Sequence, residues 1–344
     1  MTEIGSPSVT GPRPPVTFFI ANEADVEGLR SLDPDKVLQH SRRGEFAWVV
    51  QTYLRLQAAG YPVALANVAP QTGLVVFHAK HKHLLAQAAS AGNGLIFVGI
   101  RADNSAPLLA DFEILQNGWF GDNVRRFPVT HWPQPGITPR DPGRGARVER
   151  IGYMGLIENL ESEFQSDVWV DALSRLGIEW APSMVRFREM GDPTQVNWEE
   201  YRDLDVLLAI RPKERALAYA KPASKLINAW RAGVPIMVGP EYPYRELRRS
   251  EDDFIEITNV ATALEALQRL KSDPGLYHRM VSNGYRRAEE FTESKITQRW
   301  AELLFDTIPS LVAAQGLHWT HRLPLGLRPP VRRILRIVRR ERSR

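Results

Sequence analysis

The chain has 344 residues, of which 43% are hydrophobic and 24% charged, a globular composition with too much apolar content for a disordered polymer. No apolar run approaches the length of a membrane-spanning helix, and the absence of cysteine excludes disulfides, thiolate nucleophiles and cysteine-based metal sites. The net charge of +4 is unevenly placed: residues 322–344 carry nine arginines and one glutamate, leaving residues 1–321 at −4, so no nucleic-acid face spread over the body is expected.

Residues 1–15 are rich in Pro, Gly, Ser and Thr, with neither a basic lead nor an apolar core. They read as a disordered start and not a secretion signal, so the cytoplasm is the expected compartment. Strands are predicted at 16–20, 63–68, 73–78 and 94–100, alternating with helices at 45–59 and 80–90. Parallel neighbours need a crossover, so this spacing implies βαβ units in a first domain, 16–127. Pro128, Pro133, Pro135, Pro139 and Pro142 then interrupt the chain, and 128–147 reads as a linker.

Alternation resumes with a strand at 148–154, a helix at 160–176 and a buried strand at 205–210. A helix at 224–232, closed by Gly233, precedes strands at 234–238 and 254–257. Helices at 260–270, 276–291 and 294–305 complete a second domain, 148–305, and 306–344 form an extension. The expected fold class is α/β, with two Rossmann-like parallel-sheet domains facing across a cleft. Sheets of this kind bind ligands at the carboxyl ends of their strands.

That rule selects Arg211, which leaves the end of a buried strand. Pro222 and Ser224 suit a helix start, with Ser224 expected as the N-cap. Lys221 and Lys225 flank that start, where the helix dipole disfavours cations; a phosphate held by the free N–H groups and both ammonium heads would explain them. The alternative is a solvated basic turn paired with a carboxylate such as Glu214. Glu241, after Gly239-Pro240, is placed to hold a sugar or ribose hydroxyl, or else to pair with Arg245 or Arg248. Tyr242 and Tyr244 can stack on a ring or pack in a turn. His78, at the end of the 73–78 strand, is a candidate contact to sugar or acceptor, with a structural histidine as its competitor. His78, His81 and His83 do not share a helix face and lack a nearby carboxylate, so no metal site is expected.

The segment Lys221-Pro-Ala-Ser-Lys-Leu-Ile-Asn-Ala-Trp-Arg-Ala-Gly-Val-Pro235 resembles the donor half of retaining GT-B glycosyltransferases of the glycosyltransferase-4 type. In that family two glutamates, separated by seven residues, bracket the loop and helix that hold the nucleotide-sugar. Here those positions are Ala220 and Asn228. Ile151-Gly-Tyr-Met-Gly155 looks like the strand and glycine turn that open the family's second domain, and the segments at 254–257 and 273–277, with Phe291, resemble its C-terminal elements. The resemblance spans roughly 148–305. It implies sugar transfer from a nucleotide donor with retention and without metal or other cofactor. In this reading Arg211, Lys221 and Lys225 hold the diphosphate, Gly155 lets it approach, and Asn228 takes the ribose. A nucleotide-sugar epimerase of the same fold, or a non-catalytic membrane-associated binding protein lacking both acids, are the alternatives.

In the extension, Val331, Ile334, Leu335 and Val338 follow helical spacing, with Arg332, Arg333, Arg336, Arg339 and Arg340 on the remaining surface. This is an amphipathic cationic helix suited to an anionic membrane surface. A disordered basic tail, or a helix docked on the acidic body, is the alternative.

Overall fold

The computed structural model describes residues 14–41, 43–88, 94–186, 196–212 and 221–342. Almost all of the expected disordered start, together with Glu214 and Ala220, lies outside the described residues.

The first sheet holds β1 (Val16–Phe19), β2 (Val63–Ala66), β3 (Gly73–His78), β4 (Leu95–Ile100), β5 (Phe112–Leu115) and β6 (Arg126–Pro128), all parallel, in the order β2-β1-β3-β4-β5-β6. Its connections carry α1 (Val26–Arg30), α2 (Val37–His40), α3 (Gln51–Ala58) and α4 (Lys82–Ala88). β1 and β5 are buried along their whole length, as sheets covered on both faces require. β5 and β6 escaped the periodicity reading. They are three or four residues long, and β6 ends in a proline, tolerated at a sheet edge.

The second domain contains β7 (Arg150–Gly152), β8 (Met154–Leu156), β9 (Glu179–Trp180), β10 (Ser183–Val185), β11 (Val206–Ala209), β12 (Ile236–Val238) and β13 (Ile255–Glu256). Five form a parallel sheet in the order β13-β12-β11-β7-β9, and β8 pairs with β10. The helices are α5 (Asp167–Arg175), α6 (Ser224–Ala232), α7 (Tyr242–Arg245), α8 (Val260–Ser272) and α9 (Pro274–Ala288). The helix expected from residue 160 starts only at Asp167, because Ser166 caps it by accepting the Trp169 N–H.

The chain then returns. α10 (Glu293–Ala301), the wide turn Glu302–Thr307 and α11 (Ile308–Gln315) place Ile296, Trp300, Leu304 and Phe305 in the core of the first domain, with Trp300 against Trp48 at 6.5 Å. α12 (Arg328–Arg342) also lies on that domain.

The proline-rich segment is more than a linker. Val129 and Trp132 enter the first core, where Trp132 Nε1 donates to Thr52 Oγ1 at 2.9 Å. Arg140 is buried against the second domain, donating to Asp205 Oδ1 through Nη2 at 2.6 Å. Asp205, at the start of β11, also accepts both Arg144 bonds at 2.8 Å and the backbone N–H groups of Glu149 and Arg150. Burial opposes its charge, yet these donors hold its carboxyl below the usual range.

Candidate functional site

The site assembles where the carboxyl ends of the two sheets face each other. α6 supplies its centre. Leu226, Ile227, Ala229 and Trp230 bury one side of this helix, and Trp230 Nε1 donates to the Asp253 carbonyl at 2.9 Å. Gly233 ends it in the left-handed conformation, φ 68°, where a Cβ would lie 2.2 Å from the Tyr285 hydroxyl. This fixes the N-terminus of α6 against the edge of the sheet.

Ser224 is not the N-cap. Ala223 occupies that position without a side-chain bond, and Ser224 is the first helical residue. The amino end of α6 therefore has no side-chain cap, leaving first-turn N–H groups for a ligand. Lys225 sits in that turn, partly buried, with its ammonium 4.0 Å from the centroid of the Tyr153 ring. Among the described residues no carboxylate neutralises it by direct contact. Burial, reinforced by the Arg211 charge, pushes its pKa down to about 7.

Arg211 and Glu241 pair with each other. The Arg211 guanidinium donates to Glu241 Oε2, and the Arg211 backbone N–H donates to Oε1 at 3.1 Å. Both side chains are nearly buried. Glu241 is thus engaged with Arg211; Arg245, its expected alternative partner, pairs with Glu256. The Arg211–Glu241 pair leaves Lys225 as the group whose charge changes most readily on ligand arrival.

Gly155 lies beneath this cluster with φ 151°, and a Cβ there would meet Tyr153 Oη at 3.0 Å and Lys225 Nζ at 3.2 Å. Gly155→Ala is expected to cost about 1–3 kcal/mol of stability through backbone strain and to displace the lysine. Thermal denaturation and nucleotide calorimetry read the two effects; a variant unchanged in both contradicts the assignment.

Lys221, whose expected alternative partner Glu214 lies outside the described residues, meets a different carboxylate. It pairs across the cleft with Asp103, in the loop after β4, while Asn117 Nδ2 donates to the Lys221 carbonyl at 2.9 Å. Two further contacts close the cleft: Gly118 N–H donates to Glu246 Oε1 at 2.8 Å, and Trp119 meets Tyr242 edge-on at 4.7 Å. Tyr242 therefore packs edge-to-face on the opposite domain.

Asn228, the expected ribose contact, is already engaged within the fold. It is buried under the interdomain crossing, and its Oδ1 accepts the Gln134 N–H at 3.0 Å. Its spacing in sequence matched the family motif, but the segment around Gln134 covers it.

His78 ends β3 on the opposing edge and is 1% exposed. Its Nδ1 accepts the Lys80 N–H at 3.3 Å, so neutral His78 carries its proton on Nε2. That Nε2 is buried with no partner among the described residues, and faces Gly44, where a Cβ would stand 3.6 Å away. Burial pushes the His78 pKa down to about 4. His78 is thus neutral, with its Nε2–H buried and unpartnered among the described residues. Two participants escaped the sequence reading, Asp103 and Tyr153. Asp103 follows a buried strand at the same edge as His78, so the rule that selected His78 also selects it.

An open hollow of about 270 Å³ lined by Glu158, Glu161, Arg186 and Pro212 lies beside Arg211. A second cavity, of about 320 Å³ and lined by Asn117, Ala223, Glu246 and Lys295, separates the domains but touches none of Arg211, Lys225, Glu241 or His78. Among the described residues no group of three or more His, Asp or Glu is arranged to hold a metal.

No family model and no curated protein matches the chain. Solved structures do. A sucrose-phosphate synthase from Thermosynechococcus elongatus superposes with a TM-score of 0.55 at 13% identity, over 88% of this chain and 100% of that one. HepE from Anabaena, solved in complex with UDP and glucose, superposes with a TM-score of 0.52 at 13% identity, over 85% of this chain and 99% of that one. At this identity the likeness shows the fold, which is the two-domain GT-B architecture.

Proposed function

We propose that the protein transfers a glycosyl group from a nucleoside-diphosphate sugar to a hydroxyl of a glycan or lipid-linked acceptor, with retention and without a metal. The observation that carries this reading is the uncapped start of α6, with Lys225 and Arg211 at the carboxyl edge of the sheet and His78 on the opposing wall. The fold neighbour bound to UDP and glucose supports the same ligand class.

In this reaction the bond between the anomeric carbon and the diphosphate oxygen breaks, and its electron pair remains on the diphosphate. Fixed cations aimed at that oxygen lower the barrier, and Lys225 and Arg211 fill this role, aided by the α6 N–H groups. Lys221, released from Asp103 when the anion enters, adds a third cation. The acceptor oxygen then bonds to the anomeric carbon. His78 cannot take the acceptor proton, because its free nitrogen already carries one. In this reading the departing diphosphate takes the acceptor proton on the face it leaves, the course that gives retention. His78 Nε2–H instead donates to a sugar or acceptor oxygen.

Calorimetry of the full chain against UDP, GDP, dTDP, ADP and CMP, with and without divalent metal, tests this reading. Metal-independent binding of one nucleoside diphosphate is expected, raising thermal stability by mass action. Absence of binding to all five overturns it. Binding without transfer to any acceptor favours a silent nucleotide-binding protein, consistent with Asn228 at the family's second acid position.

A further inference from the structure

The docking of α12 inverts what its amphipathic pattern leads one to expect. A helix with an apolar stripe ordinarily packs that stripe on the protein and presents its arginines to water. Here three of the arginines, Arg328, Arg332 and Arg336, face the protein. Arg332 reaches into the first domain, where Nη1 donates to the carbonyls of Leu108, Leu109 and Ala110 at 3.2, 2.8 and 2.5 Å. Its Nη2 donates to Asp111 Oδ1 at 2.6 Å and its Nε to Thr320 Oγ1 at 2.8 Å. One turn before it, Arg328 is buried and donates to the carbonyls of His321 and Leu323. One turn after it, Arg336 pairs with Glu113. Asp111 is buried and also accepts from His321 Nδ1 at 3.2 Å and from the Phe97 N–H at 3.1 Å. These bonds use the polar face of the helix as an adhesive.

Part of the apolar stripe is left outside: Val331 and Leu335 are half-buried, whereas Ile334 and Val338, joined by Ile337, face outward. Ile334 is 60% exposed, Ile337 51% and Val338 39%, one helical turn of neighbours on the side away from Arg328 and Arg332. Leu327 and Trp319, in the segment leading into the helix, are exposed as well. Arg333 and Arg322 are also exposed, and Arg339, Arg340, Arg342 and Arg344 follow in sequence.

We propose that this stripe is a docking surface for an anionic lipid bilayer, onto which α12 lies flat while its arginine face holds the enzyme body. The charge decides between occupants. Residues 322–344 carry nine arginines against one glutamate, so a second copy brought stripe to stripe would juxtapose two strongly cationic segments, whereas an anionic surface attracts them. With 15 residues α12 is about 22 Å long. No helix among the described residues is long and apolar enough to cross a membrane, so the contact is a surface one. The three arginines fixed on the body are unavailable to lipid; the exposed ones supply the attraction and the isoleucines the insertion.

Flotation of the full chain with phosphatidylcholine vesicles, with and without phosphatidylglycerol, tests this. The wild type is expected to float with the anionic vesicles only, and less at high salt. Ile334→Glu/Ile337→Glu alters exposed positions, so its thermal midpoint and nucleotide binding should match the wild type, while its vesicle partitioning falls by at least about tenfold. Three results overturn the proposal: no flotation of the wild type, equal flotation of the double variant, or a halved mass of the double variant in light scattering, which assigns the stripe to a second copy. Because nucleotide binding is read separately, failure here leaves the sugar-transfer reading standing, and the reverse.

Discussion

Lys225→Met is expected to lower turnover by about 10²–10³-fold and to weaken nucleoside-diphosphate binding about 10- to 100-fold, while making the unliganded protein more stable. The three effects share one cause. Lys225 is a cation held against an aromatic ring and beside Arg211, without a carboxylate of its own among the described residues. Its folded pKa of about 7 lies well below its ordinary value of 10.5. Between those two values the unfolded chain binds a proton that the folded chain does not, so the fold gains stability as pH rises through that window. Below pH 7 the full cost of a buried ammonium is present, and there methionine should raise the thermal midpoint most. An arriving diphosphate supplies the missing countercharge and restores the proton. Binding above pH 7 is therefore expected to take up close to one proton, seen by calorimetry in buffers of different ionisation enthalpy. Affinity should fall by about tenfold per pH unit above 7 until the bound-state pKa is reached. A variant with wild-type affinity, or binding without proton uptake at pH 8, removes Lys225 from the phosphate site.

The second large effect concerns folding. Asp205→Ala should destabilise the second domain by about 3–5 kcal/mol, because it strands Arg140 and Arg144 and two backbone N–H groups together. Urea unfolding followed by circular dichroism measures it. In the wild type the Asp205 carboxyl is held below its unfolded value, so its contribution is present above about pH 4 and is lost as pH falls through the lower folded value. The alanine variant should accordingly lose the part of the acid sensitivity that this carboxylate causes. A variant with the wild-type midpoint would mean that the two arginines find other partners.

These two residues also mark where reading from sequence succeeds and where it stops. Lys225 was legible because its charge contradicts its place in a helix, a conflict local to one turn. The buried strands β1, β3 and β4 and the glycine-terminated α6 were legible for the same reason, since the information lies within a few residues. Asp205 was passed over as the first residue of a strand, although a carboxylate opening a wholly buried run is itself a signal that needs an explanation. Its partners Arg140 and Arg144 lie about sixty residues upstream. The pairing of Arg211 with Glu241 and of Lys221 with Asp103 spans 30 and 118 residues, and only the folded topology brings them together. The covering of Asn228 by the Gln134 backbone belongs to this class too, which is why a motif position that matched by spacing proved to be occupied. Strand β9, two residues long, carries no period of its own and exists through pairing with β7.

The return of the chain has a mechanical consequence. Two crossings join the bodies, one through Trp132 to Arg140 and one through Phe291 to Ile296, and each is packed at both ends. A single crossing would act as a swivel, free to turn about every axis. Two crossings restrict that freedom, and both bear on α6, the first through Gln134 on Asn228 and the second through Glu293 on Arg231, so a hinge between the domains would run past this helix. A swing about that hinge would part Lys221 from Asp103, Gly118 from Glu246 and Trp119 from Tyr242 in one movement, so these three contacts form a single latch between the domains.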